Sequence, residues 1–400
     1  MVFGLGALVA SATLVAPAST AFAVPSASLP MVQPLTRPLT RPLAQPLAQP
    51  VVQPLNRPAS AVVQLALPAP TGPHPVGFDT LDLIDPHRAD PWNPAVWREL
   101  MVSVWYPAGR AGGAPAPYMT AAESRLFLAG VTGVPGDALT TVTTHAYVHA
   151  PVLAGSGRFP LVVLSPGLGD PRATLTGLAE ELASRGYVVA GIDHTYESTG
   201  VSFPDGRVAE CLICDDDDGT AVTAGRARDV SFVLNRLLAH PSAWAGGRSI
   251  DPHRVAMVGH SIGGASALST MLTDRRVDAG VNLDGSFYPA LAQPFRRPFL
   301  MISGETHGPG TDPSWSDTWA QLRGWKRWLS VTGTEHSSFT DIAPLADQIG
   351  QPIQSMPGER ASQITRAYVA AFLDLQLRGR RQPLLDKPST LFPEVHFLTP

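Results

Sequence analysis

Residues 255–268 confine this chain to a narrow set of folds. The apolar run Val255-Ala256-Met257-Val258 passes directly into Gly259-His260-Ser261-Ile262-Gly263-Gly264 and then into the small-residue run Ala265-Ser266-Ala267-Leu268. Read locally, this is a buried strand, a sharp turn and a helix. Glycines on both sides of a serine permit the strained turn that lifts a hydroxyl above a sheet edge. The following helix aims its N-terminal amides, and the positive end of its dipole, at any oxyanion formed there. A bare G-x-S-x-G also occurs as an ordinary turn, and it is the flanking strand and helix that give this one chemical meaning.

The rest of the body repeats the alternation. Strands are expected at Leu100 to Tyr106, Pro160 to Ser165, Tyr187 to Ile192, Val255 to Gly259, Gly280 to Asp284, Pro298 to Ser303 and Trp328 to Thr332. Helices are expected at Leu175 to Arg185, Gly225 to Ala239, Ser261 to Leu272, Asp317 to Gly324 and Arg360 to Leu377. Most strands are short continuous apolar runs, as in sheets covered on both faces. The pattern predicts an α/β protein of the α/β-hydrolase fold, with a mostly parallel central sheet and helices on both faces. One long irregular stretch, from about Glu197 to Thr223, is expected on the side where the parallel strands end.

The N-terminal part differs in composition. Residues 1–23 carry no charge, run apolar from Val2 to Ala16 and end Ala21-Phe22-Ala23, which reads as a secretory signal peptide. The positive charge usual at the start of such a segment is missing, so an upstream start or a retained anchor is the alternative; Pro17 and the Ser/Thr/Ala content favour cleavage. Within residues 24–60 a proline recurs at every fourth position from Pro30 to Pro58. Each proline fixes its φ and removes a backbone donor, so this segment is expected to be a semi-rigid spacer leading to a catalytic domain over 61–400. Arg37, Arg41 and Arg57 lie in that acid-free spacer, so the formal charge of −4 becomes about −7 for the remainder. Such a balance excludes a nucleic-acid footprint. The expected localisation is extracellular or cell-wall associated.

Cys211 and Cys214 are the two cysteines, followed by four aspartates, Asp215 to Asp218. In an exported chain the pair is most simply a local disulfide. Free thiols and a metal remain alternatives, although two thiolates fall short of a structural zinc site and the aspartates lack the spacing of a calcium loop.

A serine hydroxyl needs a base to become a nucleophile. In this fold the order along the chain is serine, acid, histidine. Trp328-Leu329-Ser330-Val331-Thr332-Gly333-Thr334-Glu335-His336 supplies a strand, a glycine turn and then His336. His307 is a rival, His260 is expected behind the elbow, and His194 is expected to line the site without serving as base. For the acid, Asp284 ends the strand after the elbow helix, with Glu305 and Asp312 competing from the next loop. The oxyanion donors are assigned to the amides of Ile262 and of Leu168, the latter in Ser165-Pro166-Gly167-Leu168-Gly169.

This combination of an S-x-G-L-G turn, G-H-S-x-G-G, an acid soon after the elbow and a final G-x-x-H turn resembles the platelet-activating factor acetylhydrolase family and its bacterial lipase and esterase relatives. The stretch Val76-Gly77-Phe78 through Trp105-Tyr106-Pro107 also resembles that family's entry strands, so the likeness covers roughly residues 75–378. It implies that Asp284 is the acid and that Ser261, His336, Leu168 and Ile262 hold the nucleophile, base and oxyanion positions. The chain departs from the family pattern at Pro166 and in the cysteine-bearing loop.

A secreted serine carboxylic-ester hydrolase is therefore expected, acting on a short-acyl phospholipid or another lipid ester without metal or organic cofactor. The alternative is a triacylglycerol lipase or polyester hydrolase in contact with lipid aggregates, with Phe287, Tyr288, Trp315 and Trp319 forming a hydrophobic mouth. A non-catalytic surface binding protein on the same fold is the reading from another class. Oligomeric state is not legible.

Overall fold

Strands that are apolar along their whole length have to be covered on both faces, and alternate residues then serve different cores. In the computed structural model, which describes residues 64–399 except 156, 216–217 and 240–241, this happens throughout the sheet. The expected signal peptide over 1–23 and spacer over 24–60 lie outside the described residues.

The strands are β1 (Val76–Ala89), β2 (Trp97–Pro107), β3 (Ala146–Val148), β4 (Phe159–Ser165), β5 (Val188–Asp193), β6 (Gly200–Ser202), β7 (Val208–Glu210), β8 (Ile250–His260), β9 (Val277–Leu283), β10 (Phe299–Ser303), β11 (Lys326–Val331) and β12 (Val395–Leu398). The helices are α1 (Ala121–Phe127), α2 (Thr176–Ser184), α3 (Gly219–Leu238), α4 (Ile262–Thr273), α5 (Pro313–Gln321), α6 (Ile342–Gln348) and α7 (Gly358–Arg378). Ten strands form one sheet in the order β12-β11-β10-β9-β8-β4-β5-β2-β1-β3. The run from β5 through β4, β8, β9 and β10 to β11 is parallel, while β2 joins β5 and β12 joins β11 antiparallel.

On one face Val162, Leu164, Ala256 and Val258 pack with Leu178 and Leu182 of α2 and with Tyr368 and Phe372 of α7. On the other, Leu161, Val163, Val255 and Met257 pack with Val230 and Leu234 of α3 and Ala267 and Met271 of α4. Full burial of each valine, leucine, methionine or phenylalanine among them contributes roughly 1.5–3 kcal/mol. Among the described residues no helix is long and apolar enough to cross a membrane.

Two expected boundaries are corrected. Helix α3 begins at Gly219 rather than Gly225, because the aspartate run ends in a cap: the Asp218 carboxylate accepts the Ala221 amide at 2.9 Å. The stretch 197–223 is accordingly less irregular than expected, and it also holds the two-stranded β6–β7 hairpin. Helix α5 begins at Pro313 instead of Asp317, again on a side-chain cap, Asp312. The parallel register brings the carboxyl ends of β4, β8, β9, β10 and β11 to one edge, where the chain leaves toward Leu168, Ser261, Asp284, His307 and His336 in turn.

Candidate active site

The turn after β8 takes the conformation its glycines allow. Ser261 has φ 55° and ψ −130°, outside the common regions for a residue with a side chain. A Cβ at Gly259 would lie 2.1 Å from the Gly263 carbonyl oxygen, and one at Gly263 would lie 2.1 Å from the Ser165 oxygen. Bare backbones therefore stack where β4, β8 and α4 meet. The Ser261 amide donates to the Leu283 carbonyl at 2.8 Å, tying the turn to the end of β9.

Three residues far apart in sequence converge above that turn. His336 Nε2 lies 2.9 Å from Ser261 Oγ, and His336 Nδ1 lies 2.7 Å from Asp284 Oδ2. With Nδ1–H donating to the carboxylate, Nε2 carries the lone pair that faces the serine hydroxyl. Asp284 is fully buried, and its Oδ1 accepts the Gly304 amide at 2.7 Å. Burial pushes the Asp284 carboxyl up, but hydrogen bonds from His307 and His336 outweigh it and hold the group below the usual aspartate range.

The competing candidates have other partners. Glu305 accepts the Gly333 amide, and Asp312 caps α5 and accepts the Ser286 hydroxyl. His260 is buried behind the elbow as expected, with Nε2 at 2.8 Å from the His336 carbonyl and its ring against the His336 ring. Its Nδ1 lies 3.4 Å from Asp170 Oδ2. His307 is nearer the chemistry than a plain rival would be, since its Nδ1 reaches Asp284 Oδ1 at 3.0 Å. Ligand-type atoms of Asp284, His307 and His336 lie within 4.8 Å of one another, a set that a cation would fit but that their mutual hydrogen bonds already account for.

The loop leaving β4 lies against the first turn of α4, and Leu168 shares an apolar cluster with Ile262, Ile213, Val222 and Trp92. Beneath it is a buried polar network that the sequence reading missed. Arg226 of α3 donates to the carbonyl of Pro166 at 2.5 Å, to Ser165 Oγ at 3.2 Å and to Glu197 Oε2 at 2.7 Å. Arg98 spans Asp90, Glu197 and Asp229, and His194 bridges Ser165 Oγ and Asp229. Burial works against the Asp229 carboxylate, yet Arg98 and His194 hold its acidity far beyond that of a free aspartate. His194, expected to line the site, is instead 1% exposed within this network. The available signal was charged residues inside otherwise apolar stretches of β2 and α3, which have to be paired when buried.

Cys211 and Cys214 form a disulfide, with sulfurs 2.09 Å apart, so the alternatives of free thiols and of a thiolate-bound metal fall away. The bridge flanks Ile213, which packs on Ile262, and this places the loop on the catalytic side as expected. The hydrophobic mouth is corrected: Phe287 and Trp315 are core, Trp319 packs against that core, and Tyr288 alone of the four is largely exposed. Phe287, Trp315 and Trp319 pack with one another or with Phe299 and Trp328 of the sheet, where burial of ring area outweighs any surface role.

Fold and site together define a carboxylic-ester hydrolase of the α/β-hydrolase type, and comparison with known proteins agrees. A solved structure described as ferulic acid esterase from Streptomyces cinnamoneus superposes with a TM-score of 0.76 at 43% identity, covering 84% of this chain and 100% of that one. The family model for platelet-activating factor acetylhydrolase, isoform II, matches residues 119–209 and 246–378, and the chain belongs to that family. A relative in Arthroderma benhamiae named "Probable 1-alkyl-2-acetylglycerophosphocholine esterase" is 28% identical over 83% of this chain and 93% of its own. The platelet-activating factor acetylhydrolase of Cavia porcellus is 24% identical over 56% of this chain and 58% of its own.

Proposed function

We propose that the chain is an exported serine esterase working through an acyl-enzyme, with a signal peptide over 1–23, a spacer over 24–60 and a catalytic domain over 61–400. The observation that carries the reading is the unbroken line from Ser261 Oγ through His336 to Asp284, at 2.9 and 2.7 Å. Ser261 Oγ attacks the ester carbonyl carbon as its proton passes to His336 Nε2. The amides of Leu168 and Ile262 meet the oxyanion, and Asp284 stabilises the imidazolium. Collapse of the intermediate breaks the bond to the leaving alkoxide, which takes the proton from His336. Water, deprotonated by the same imidazole, then releases the acid and restores Ser261.

For the substrate, family membership supports a short-acyl phospholipid or related lipid ester, taken from solution or from the surface of an aggregate. A second reading, an ester of an aromatic acid, is favoured by the 43% identity over the full length of the ferulic acid esterase. The polyester or triacylglycerol alternative loses support, because the aromatics invoked for it are mostly core.

The test is a rate series over p-nitrophenyl acetate, a phospholipid with a short sn-2 acyl group, methyl ferulate and tributyrin, with the acyl adduct located by mass spectrometry. Ser261→Ala is expected to lower turnover by about 10⁴-fold or more while the protein still folds. Activity near that of the unmutated enzyme, or no labelling of Ser261 by a fluorophosphonate, would refute the reading and leave a binding role on a hydrolase fold.

A further inference from the structure

Asp284 carries two imidazoles. His336 Nδ1 is 2.7 Å from Oδ2, and His307 Nδ1 is 3.0 Å from the other oxygen, Oδ1. A Ser–His–Asp set needs one histidine, and the second is not a surface accident. The His307 side chain is 16% exposed, in the turn Glu305–His307 that leaves β10. Its ring stacks on the buried indole of Trp315 at 5.5 Å and 24°. Its Nε2 lies 3.3 Å from Ser286 Oγ and 3.7 Å from Asp312 Oδ2. An aromatic face and two carboxylates thus surround one imidazole, an environment that favours the cation.

We propose that His307 is a positioning residue of the triad: its cation on the far oxygen of Asp284 keeps His336 unprotonated, and so able to accept the serine proton, at lower pH than Ser261, His336 and Asp284 would manage alone. The inference rests on the proposed roles of those three residues.

Two consequences of the geometry carry the argument. Asp284 Oδ1, receiving both His307 Nδ1–H and the Gly304 amide, is pinned, so that Oδ2 stays aimed at His336. The second consequence is electrostatic. The His307 and His336 rings are 6.1 Å apart, close enough for a charge on one to oppose a charge on the other. Of the other titratable groups nearby, Asp284 at the end of β9 and Asp312 at the start of α5 face His307, whereas Glu305 is turned to the Gly333 amide and His260 packs at a tilt against the His336 ring. Burial opposes protonation of His307, but the Asp284 hydrogen bond and charge, with Asp312 behind them, raise its affinity for the proton above the ordinary histidine value. The surroundings of His307 therefore favour its cationic form.

The experiment is the pH dependence of kcat/KM in His307→Asn. Asparagine retains an N–H near the Nδ1 position and removes the charge. The acid limb, which reports protonation of the free-enzyme base, is expected to move to higher pH. A unit charge at 6.1 Å across effective dielectrics of about 80 to about 20 corresponds to a shift of roughly 0.5 to 2 pH units. Loss of folding precision alone would lower the plateau without moving the limb. An acid limb unchanged to within about 0.2 units, in a variant of near-normal melting temperature, overturns the proposal. If His307→Asn does not fold, imidazole titration by nitrogen-15 NMR in the unmutated enzyme decides it: two coupled steps support the inference, and independent titrations of His307 and His336 refute it. Failure of the serine-esterase reading is recognised separately, because Ser261→Ala would then stay active.

Discussion

Arg226 Nη2 lies 3.4 Å from the Gly167 carbonyl oxygen, while Nη1 holds the Pro166 carbonyl at 2.5 Å. The Gly167 carbonyl and the Leu168 amide belong to one planar trans peptide, and their bonds point in opposite directions. A guanidinium that draws the carbonyl into the core therefore turns the Leu168 N–H outward. Together with the Asp170 amide, which donates to the same carbonyl at 3.3 Å, this buried side chain of α3 holds the peptide whose N–H is proposed to meet the oxyanion.

Arg226→Lys keeps the charge but loses the planar fork that spans two carbonyls. It is expected to lower kcat by about 10- to 100-fold with little change in KM, less than the roughly 10²–10³-fold typical of losing a donor outright. Arg226→Met removes one of the two guanidinium partners of the buried Glu197, Arg98 keeping the other, and should cost about 1–3 kcal/mol of stability. Steady-state kinetics and thermal melts of the two variants separate these effects, and unchanged kcat in Arg226→Lys would contradict the orienting role.

Asp284→Asn should reduce kcat by about 10⁴-fold while the melting temperature changes little. An amide in place of the carboxylate can present N–H to His336 Nδ1 and so stabilise the wrong tautomer. Residual activity within tenfold of normal would point to a different acid.

Removal of the Cys211–Cys214 bridge, by reduction or by substitution of both residues with alanine, should be mild in stability. The loop it closes is three residues apart in sequence, and the chain-entropy argument gives about 2 kcal/mol for so short a loop. For a domain of this size that is roughly 3 °C in melting temperature. Because Ile213 packs on Ile262 and Leu168, kcat/KM should fall by a larger factor than the small loss of stability accounts for.

Asp341, buried five residues beyond His336, accepts the Gly177 amide on both carboxyl oxygens. Burial, aided by the neighbouring Glu180, pushes its carboxyl up to about 8, against the opposing effects of Gly177 and Arg366. A folded-state value above the unfolded one means that the stabilising contribution is complete below about pH 4 and is lost as pH rises through about 8. Asp341→Asn should therefore raise the melting temperature at pH 8.5 relative to the unmutated protein, with a smaller difference at pH 5. Parallel melts at the two pH values test this, and an equal difference at both would contradict it.

The buried strands were legible because continuous apolar runs such as Leu161 to Leu164 have few other uses. Strand β1 was harder to see: Asp82, Asp85, Pro86 and His87 interrupt its alternation, since much of its length faces solvent on one side. The start of α3 was missed because the aspartate run reads as loop until Asp218 is seen to cap the helix.

By itself the sequence determined the elbow, because a turn's backbone depends on neighbours along the chain, and Gly259, Gly263 and the flanking apolar runs are all local. It also narrowed the histidine and the acid to a few candidates at strand ends. Only the tertiary structure decided that Asp284 rather than Glu305 or Asp312 meets His336, that His307 joins them, and that Arg226 lies beneath the Leu168 loop. Those pairings join residues 52, 23 and 59 positions apart, for Asp284–His336, Asp284–His307 and Gly167–Arg226 in turn, and are fixed by strand register and helix packing, which no short stretch of sequence encodes.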